Sequence, residues 1–452
     1  MSDDTQEEKV AKPKKLQTPP GIHDVLPKDH EYHTFIKKVV RHRARQAGFR
    51  RITTPLLEYT QVFDRGIGED TDIVEKEMYT FPDKGERSMP LKPAGTAGVV
   101  RAYIQHGMKT WPQPVELFYI EPHFRYDRPQ KGRYRMFWQF GFEIIGESDP
   151  ALDVQCIFLG KKIFEDLGIW DRFTLQINNI GSAKSREKYK EGLVNYYVGK
   201  ERSLCESCGN RLHKNPLRLL DCKEEDCKIL AELAPKFDQF RSKEDEEFHA
   251  KVKEFLDELG MEYVENDRLV RGLDYYAQTV WEYWDKNTGA QNAVGGGGRY
   301  DGLVELMGGG EPTPAVGFAC GIDRTILHMK DAGIKVPSKD NVHIFVAQLG
   351  DAAKKKSLPL IDQLRDRGVR TVGALGKGSM KAQLRLADKF AVPYTLILGI
   401  TEVREGTIII RDMSKGQQKH VKMEKVVDEV VKLIGEKNLD KYTPGEVSIS
   451  KD

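Results

Sequence analysis

Two short blocks place a cation, a carboxylate, adjacent phenols and a run of glycines close together: Arg271-Gly-Leu-Asp-Tyr-Tyr276 and Gly295-Gly-Gly-Gly-Arg-Tyr-Asp-Gly302. Strand interiors avoid Gly and Asp, so four successive glycines mark either close backbone approach to a ligand or a flexible turn. Beside the first block, the ligand reading is favoured. A third block surrounds a basic loop, Arg128-Pro-Gln-Lys-Gly-Arg-Tyr-Arg135. Its four cations and interleaved tyrosine suit phosphates and an unstacked base at an RNA end. Arg125, just before this loop, is either a cross-strand ion-pair partner or a bidentate phosphate clamp, which guanidinium geometry suits. Beyond the loop, Gln139, Gly141 and Glu143 share one face of a strand. An amide, a gap and a carboxylate there predict a pocket rather than a packed layer; the plainer reading is a solvated sheet face.

The elements that position these groups follow from periodicity. Val115 to Tyr126 and Met136 to Gly146 read as a long hairpin around the basic loop. Helical spacing runs from Asp29 to Gly48, and Phe49 to Glu58 reads as a strand whose Pro55 marks a sheet edge or strand end. Residues 183–248 are charge-rich, carry cysteines and read as an insertion; strands resume over Arg268 to Tyr283, and Val316 to Met329 passes from strand to helix. A composition break at Pro337 to Asp340 predicts a linker. Beyond it, strand and helix alternate from Val342 to Leu398, which predicts a separate α/β domain over residues 340–437. Residues 1–17 read as a disordered tail and residues 438–452 as a polar one.

At 452 residues, 39% apolar and 31% charged, the chain is long enough for two or three domains with real cores. Lys and Arg total 71 against 69 Asp and Glu, so any nucleic-acid surface must be local. No apolar run approaches the ~20 residues of a membrane span, and no secretory h-region precedes Gln17. Six cysteines without a signal predict a reducing compartment, the cytoplasm.

Together, Phe124 to Arg135, Arg271 to Tyr276, Gly296 to Gly302 and Gly317-Phe-Ala-Cys-Gly-Ile-Asp-Arg324 resemble histidyl-tRNA synthetase, a class II aminoacyl-tRNA synthetase family. The likeness runs from Thr18-Pro-Pro-Gly-Ile-His-Asp24 to about Ile434. It implies an α+β chain: an antiparallel class II catalytic sheet over residues 18–335, a helical insertion and a C-terminal anticodon-binding domain. It implies a homodimer, the substrates L-histidine, ATP with Mg²⁺ and tRNA(His), and a histidyl-adenylate intermediate. By the same resemblance Arg125 and Arg271 meet the α-phosphate, and Arg324 the distal phosphates or the adenine. Glu143 and Tyr276 read the imidazole, with Thr96, Gln139 and Tyr275 near the α-amino group. Gln130 and Arg133 meet the acceptor end of the tRNA. Arg271 and Tyr276 would face opposite sides of a regular strand, so their joint role requires a bend, for which Gly272 is the obvious place.

Cys205-x-x-Cys208 and Cys222-x₄-Cys227 have zinc-like spacing within the insertion and are either a structural zinc site or four reduced thiols. Cys156 and Cys320 lie in apolar runs and read as core. Two rival functions stand beside the ligase: a non-catalytic synthetase-like regulatory subunit of histidine biosynthesis, and a class II synthetase for another amino acid. The family usually carries Glu where this chain has Ala94, within Leu91-Lys-Pro-Ala-Gly-Thr96. A lost hydrogen bond to a charged group is worth about 1.5–3 kcal/mol. Ala94→Glu should therefore lower the KM for histidine; an unchanged KM would show that the substrate ammonium is held elsewhere.

Overall fold

The computed structural model describes residues 15–68, 71–220, 222, 224–288, 293–337, 341–376 and 378–441. Most of both expected tails and of the expected linker lie outside these residues. The chain divides into two compact units, Met1–Val336 and Pro337–Asp452.

The first unit is built on an eight-stranded sheet. Its strands are β1 (Arg50–Arg51), β4 (Val115–Phe124), β5 (Met136–Ile145), β6 (Phe173–Asn179), β7 (Tyr263–Glu265), β8 (Ala277–Asp285), β9 (Gly295–Arg299) and β10 (Ala315–Gly321), while β2 (Thr80–Pro82) and β3 (Ser88–Pro90) form a separate hairpin. The order is β1-β4-β5-β10-β9-β8-β6-β7. Both outer pairs, β1 with β4 and β6 with β7, are parallel; every pair between them is antiparallel. Alternation along β5 sorts its side chains: Phe140, Phe142 and Ile144 enter a core shared with helices Pro27–Gln46 and Pro150–Asp166. Gln139, Gly141 and Glu143 face the other way, and this face carries the site.

Two expected strands are shorter. Phe49 to Glu58 pairs as a strand only at Arg50–Arg51, on the sheet edge. Beyond it, the Thr54 N–H donates to the Glu121 carboxylate at 2.8 Å and Lys92 Nζ donates to the Thr54 carbonyl at 3.3 Å, so side chains satisfy the backbone in place of a ladder. The strand expected from Arg268 likewise begins only at Ala277, because residues 271–276 turn.

The insertion is helical, with segments Ala183–Tyr197, Glu206–Lys214 and Glu225–Glu232 around their own small core of Tyr189, Leu193, Tyr197, Leu212 and Phe237. Its expected end at residue 248 falls inside helix Lys243–Glu258, whose second half packs Val252 and Leu256 into the main core. Among its described residues the second unit has five strands: β11 (Ile344–Gln348), β12 (Thr371–Gly373), β13 (Tyr394–Leu398), β14 (Thr407–Asp412) and β15 (Gln418–Lys422). Their order is β12-β11-β13-β14-β15, parallel through the first three and antiparallel after. The expected alternation is present, followed by a β14–β15 hairpin that periodicity did not single out.

Arg299 and Asp153 are both fully buried and form a multiply bonded ion pair. Arg299 also donates to the carbonyls of Glu147 and Asp149, at 3.3 and 3.1 Å, tying β9 to the start of helix Pro150–Asp166. Removing Asp153 leaves the buried Arg299 to the more exposed Asp301, 3.2 Å away. Asp153→Ala should destabilise the first unit by about 3–5 kcal/mol, read as a shift in its urea unfolding transition.

Candidate active site

A cavity of about 570 Å³ opens on the polar face of the sheet, a size typical of small-ligand sites. Glycines make its floor possible. A Cβ at Gly317 would lie 1.9 Å from Glu143 Oε2, and one at Gly298 would lie 2.7 Å from the Tyr276 ring. At Gly296 it would meet the Trp281 carbonyl at 2.4 Å and the Arg271 guanidinium at 3.0 Å. The glycine run is thus a regular strand, β9, on which Arg271 and Tyr276 lie down. It is not a flexible turn.

Glu143 is 1% exposed and sits just beneath the cavity wall. Thr96 Oγ1 donates to its Oε1 at 2.8 Å, and the Tyr300 hydroxyl donates to its Oε2 at 2.5 Å. Thr96 is in place because it opens helix Thr96–Gln105. Burial pushes the Glu143 carboxyl up to about 7, against the pull of these hydroxyl donors. Each oxygen keeps a lone pair for a further donor. Tyr275 and Tyr276 stand beside it with ring centroids 4.5 Å apart, and Tyr300 is 5.6 Å from Tyr275. The bend that brings Arg271 and Tyr276 to one cavity falls at Gly272 and Leu273, followed by a turn over Asp274 and Tyr275.

Gly141 does not leave a gap. The Tyr119 ring, opposite it on β4, fills that space so closely that a Cβ at Gly141 would sit 2.3 Å from the ring, as would one at Gly95. The pocket expected between Gln139 and Glu143 is therefore displaced outward, where Thr96, Tyr119, Gln139, Tyr275 and Tyr276 line it.

The other end of the cavity is cationic: Arg125, Arg133, Arg271 and Arg324 all line it. Arg125 Nε donates to the Pro93 carbonyl at 2.9 Å, and its guanidinium lies 5.4 Å from the Phe137 ring, so carbonyl and ring hold it rather than a cross-strand carboxylate. Arg324, in the first turn of helix Ile322–Asp331, donates to the carbonyls of Gly132 and Ala293 at 3.2 and 2.6 Å. Burial, reinforced by repulsion from Arg133 and Arg125, lowers its pKa to about 10. Guanidiniums pressed together out of water make a site for an anion. Arg271 is ion-paired to Glu282, which also accepts from Trp284 Nε1 at 2.6 Å. Arg133 pairs with Asp127 at 3.2 Å, Arg135 lies 3.8 Å from the Tyr126 ring, and Lys131 faces Asp331 at 3.7 Å. Gln130 is exposed at the loop tip, bridged to Arg133.

Tyr300, Tyr119 and Glu282 were not assigned roles from the sequence. Tyr300 stood inside the Gly-Arg-Tyr-Asp-Gly block, and Glu282 shares a β8 face with Trp284, a placement that strand alternation alone could have indicated. Ala94 lies on the cavity wall among Phe63, Ile67, Ile73 and Ala97. In the insertion, the sulfurs of Cys205, Cys208, Cys222 and Cys227 all lie within 4.8 Å of one another.

A sequence profile described as histidyl-tRNA synthetase matches residues 21–325, and one for an anticodon-binding domain matches residues 343–433. The chain belongs to the histidyl-tRNA synthetase family. A histidine–tRNA ligase of Dehalococcoides mccartyi is 43% identical over 418 residues, spanning 92% of this chain and all of that one. One from Acetivibrio thermocellus is 42% identical over 91% of this chain and 98% of its own. Among solved structures, apo histidyl-tRNA synthetase of S. aureus is 32% identical, covers 92% of this chain and 100% of its own, and superposes with a TM-score of 0.77. A Bacillus halodurans protein titled an ATP phosphoribosyltransferase regulatory subunit/histidyl-tRNA synthetase shares the fold at a TM-score of 0.60 and 20% identity.

The raised Glu143 pKa has a definite sign. The stability it contributes is full below its ordinary value of 4.5 and is lost as pH rises through about 7. Glu143→Gln cannot ionise. Its stability relative to wild type, in the ligand-free protein, should therefore grow from pH 4.5 to 7 and then level off in urea melts; a pH-independent difference would show that Glu143 titrates normally.

Proposed function

We propose that this cavity activates L-histidine with ATP and passes it to tRNA(His), the histidine–tRNA ligase reaction. The observation that carries the reading is a hydroxyl-buttressed carboxylate buried beneath one end of a cavity whose other end is lined by a cluster of guanidiniums. Glu143 and Tyr276 hydrogen-bond the two imidazole nitrogens, while Thr96, Gln139 and Tyr275 surround the α-amino group. An apolar competitor leaves Glu143 buried without its partner, which gives strong discrimination. The histidine carboxylate attacks the α-phosphate of ATP and expels pyrophosphate. Arg125 and Arg271 stabilise the charge that grows there, and Arg324 holds the distal phosphates or the adenine. Mg²⁺ bound with the ATP phosphates would supply charge neutralisation, and Glu282, beside Arg271 in the cavity lining, would be a carboxylate able to share it. In the second step the ribose hydroxyl at the tRNA terminus displaces AMP from the adenylate. Gln130 and Arg133 meet the acceptor end, and the second unit supplies the anticodon contacts.

The cysteine quartet fits a structural Zn²⁺. The working protein is a homodimer of the cytoplasm; among the described residues, no helix is long and apolar enough to cross a membrane. The regulatory-subunit reading is disfavoured because the chain retains both the Arg271 block and the anticodon-binding domain.

ATP–pyrophosphate exchange tests the assignment. Histidine alone among the amino acids should support exchange, and Arg271→Gln should lower kcat by about 10²–10³. Exchange with no amino acid would instead indicate a regulator, and exchange with a different one another synthetase.

A further inference from the structure

The insertion does more than flank the cavity. Helix Glu206–Lys214 and the turn Pro216–Leu219 reach across to both of its walls. Arg211 and Arg218 both pair with Asp72, the former at 3.0 Å, and Lys214 lies 3.2 Å from Glu75. Asp72 and Ile73 line the cavity on that side. On the other side, Asn215 Nδ2 donates to Asp274 Oδ1 at 2.5 Å, and Asp274 belongs to the turn that carries Tyr275 and Tyr276.

The turn buries Pro216 and Leu219, but the helix itself has little to hold it in place. The helix has nine residues and only Cys208 and Leu212 buried, too short to persist by propensity. It starts at the cysteine quartet. Cys205 Sγ caps it by accepting from the Cys208 N–H at 3.4 Å, and Cys227 Sγ accepts from the Cys205 N–H at 3.3 Å. Cys205 and Cys222 sulfurs are 3.9 Å apart, longer than any disulfide, and all six cysteines are free. Four thiolates around zinc at ~2.3 Å stand about 3.8 Å from one another; the Cys205–Cys222 separation matches this, and all four sulfurs lie within 4.8 Å of one another. Backbone N–H donors to sulfur favour the thiolate form that a metal requires.

We infer that zinc bound by Cys205, Cys208, Cys222 and Cys227 is the brace of the histidine pocket: by fixing helix Glu206–Lys214 it seats Arg211, Asn215 and Arg218 on the two cavity walls. The metal acts at a distance and touches no substrate. This inference rests on the zinc reading of the quartet, and two measurements separate their failures.

Metal analysis of the purified full-length protein should find one zinc per chain; zinc-free, active protein would overturn both. Cys222→Ser should lose the metal, keep the urea transition of the catalytic unit, and raise the KM for histidine in pyrophosphate exchange by about tenfold, the loss of one hydrogen bond to a charged group. Should that variant fail to fold, the double variant Arg211→Ala/Asn215→Ala, neither residue lining the cavity, provides the decisive readout. It should keep its zinc and show the same rise in KM. A full complement of zinc with an unchanged KM would leave the metal in place and overturn the brace.

Discussion

A carboxylate kept out of water organises the catalytic unit. Glu143 can be buried only because Thr96 and Tyr300 satisfy its oxygens and because Gly317, on the neighbouring strand, has no side chain to occupy the same space. Each condition recruits another element: Thr96 needs the helix that starts at residue 96, Tyr300 needs the end of β9, and Gly317 needs β10 in register with β5. The three-strand centre β5-β10-β9 is therefore both the middle of the sheet and the support of one acid. A buried acid with a raised pKa carries a standing cost in the empty protein, which a ligand donating a hydrogen bond would offset.

The opposite end of the cavity has the complementary tension. Arg125 and Arg324 are anchored through carbonyl acceptors, which orient a guanidinium without neutralising it. Their positive charge remains available to an incoming polyphosphate. Arg271 differs, being paired with Glu282, so a phosphate or its accompanying cation must compete for one member of that pair. The buried acid is thus carried by β5, whereas the guanidiniums come from the segment after β4, the turn before β8 and the helix after β10.

The sequence made much of this legible, and unevenly. Strand alternation placed Gln139 and Glu143 on one face, and the hairpin, the bent Arg271 segment and the α/β alternation after residue 340 are all present. The glycine-rich and Arg271 blocks were readable because they break the ordinary rules for strand composition. Tyr119 was not: a tyrosine in an apolar strand has no local mark, and only the register that sets it opposite Gly141 shows what it fills. The short β1 escaped for a similar reason, since Glu121 and Lys92, distant in sequence, replace its ladder. Pairing of Arg211 with Asp72 is likewise a long-range contact without a signature.

Tyr119 has a further consequence. Its ring abuts both Gly95 and Gly141, so these three positions share one volume and cannot vary independently. A side chain gained at either glycine becomes tolerable only once the ring has been trimmed. The same ring is a removable plug across from Glu143. With Glu143 as the proposed imidazole reader, space for a bulkier histidine analogue is to be sought at Tyr119 before any residue proposed to contact the natural substrate is disturbed.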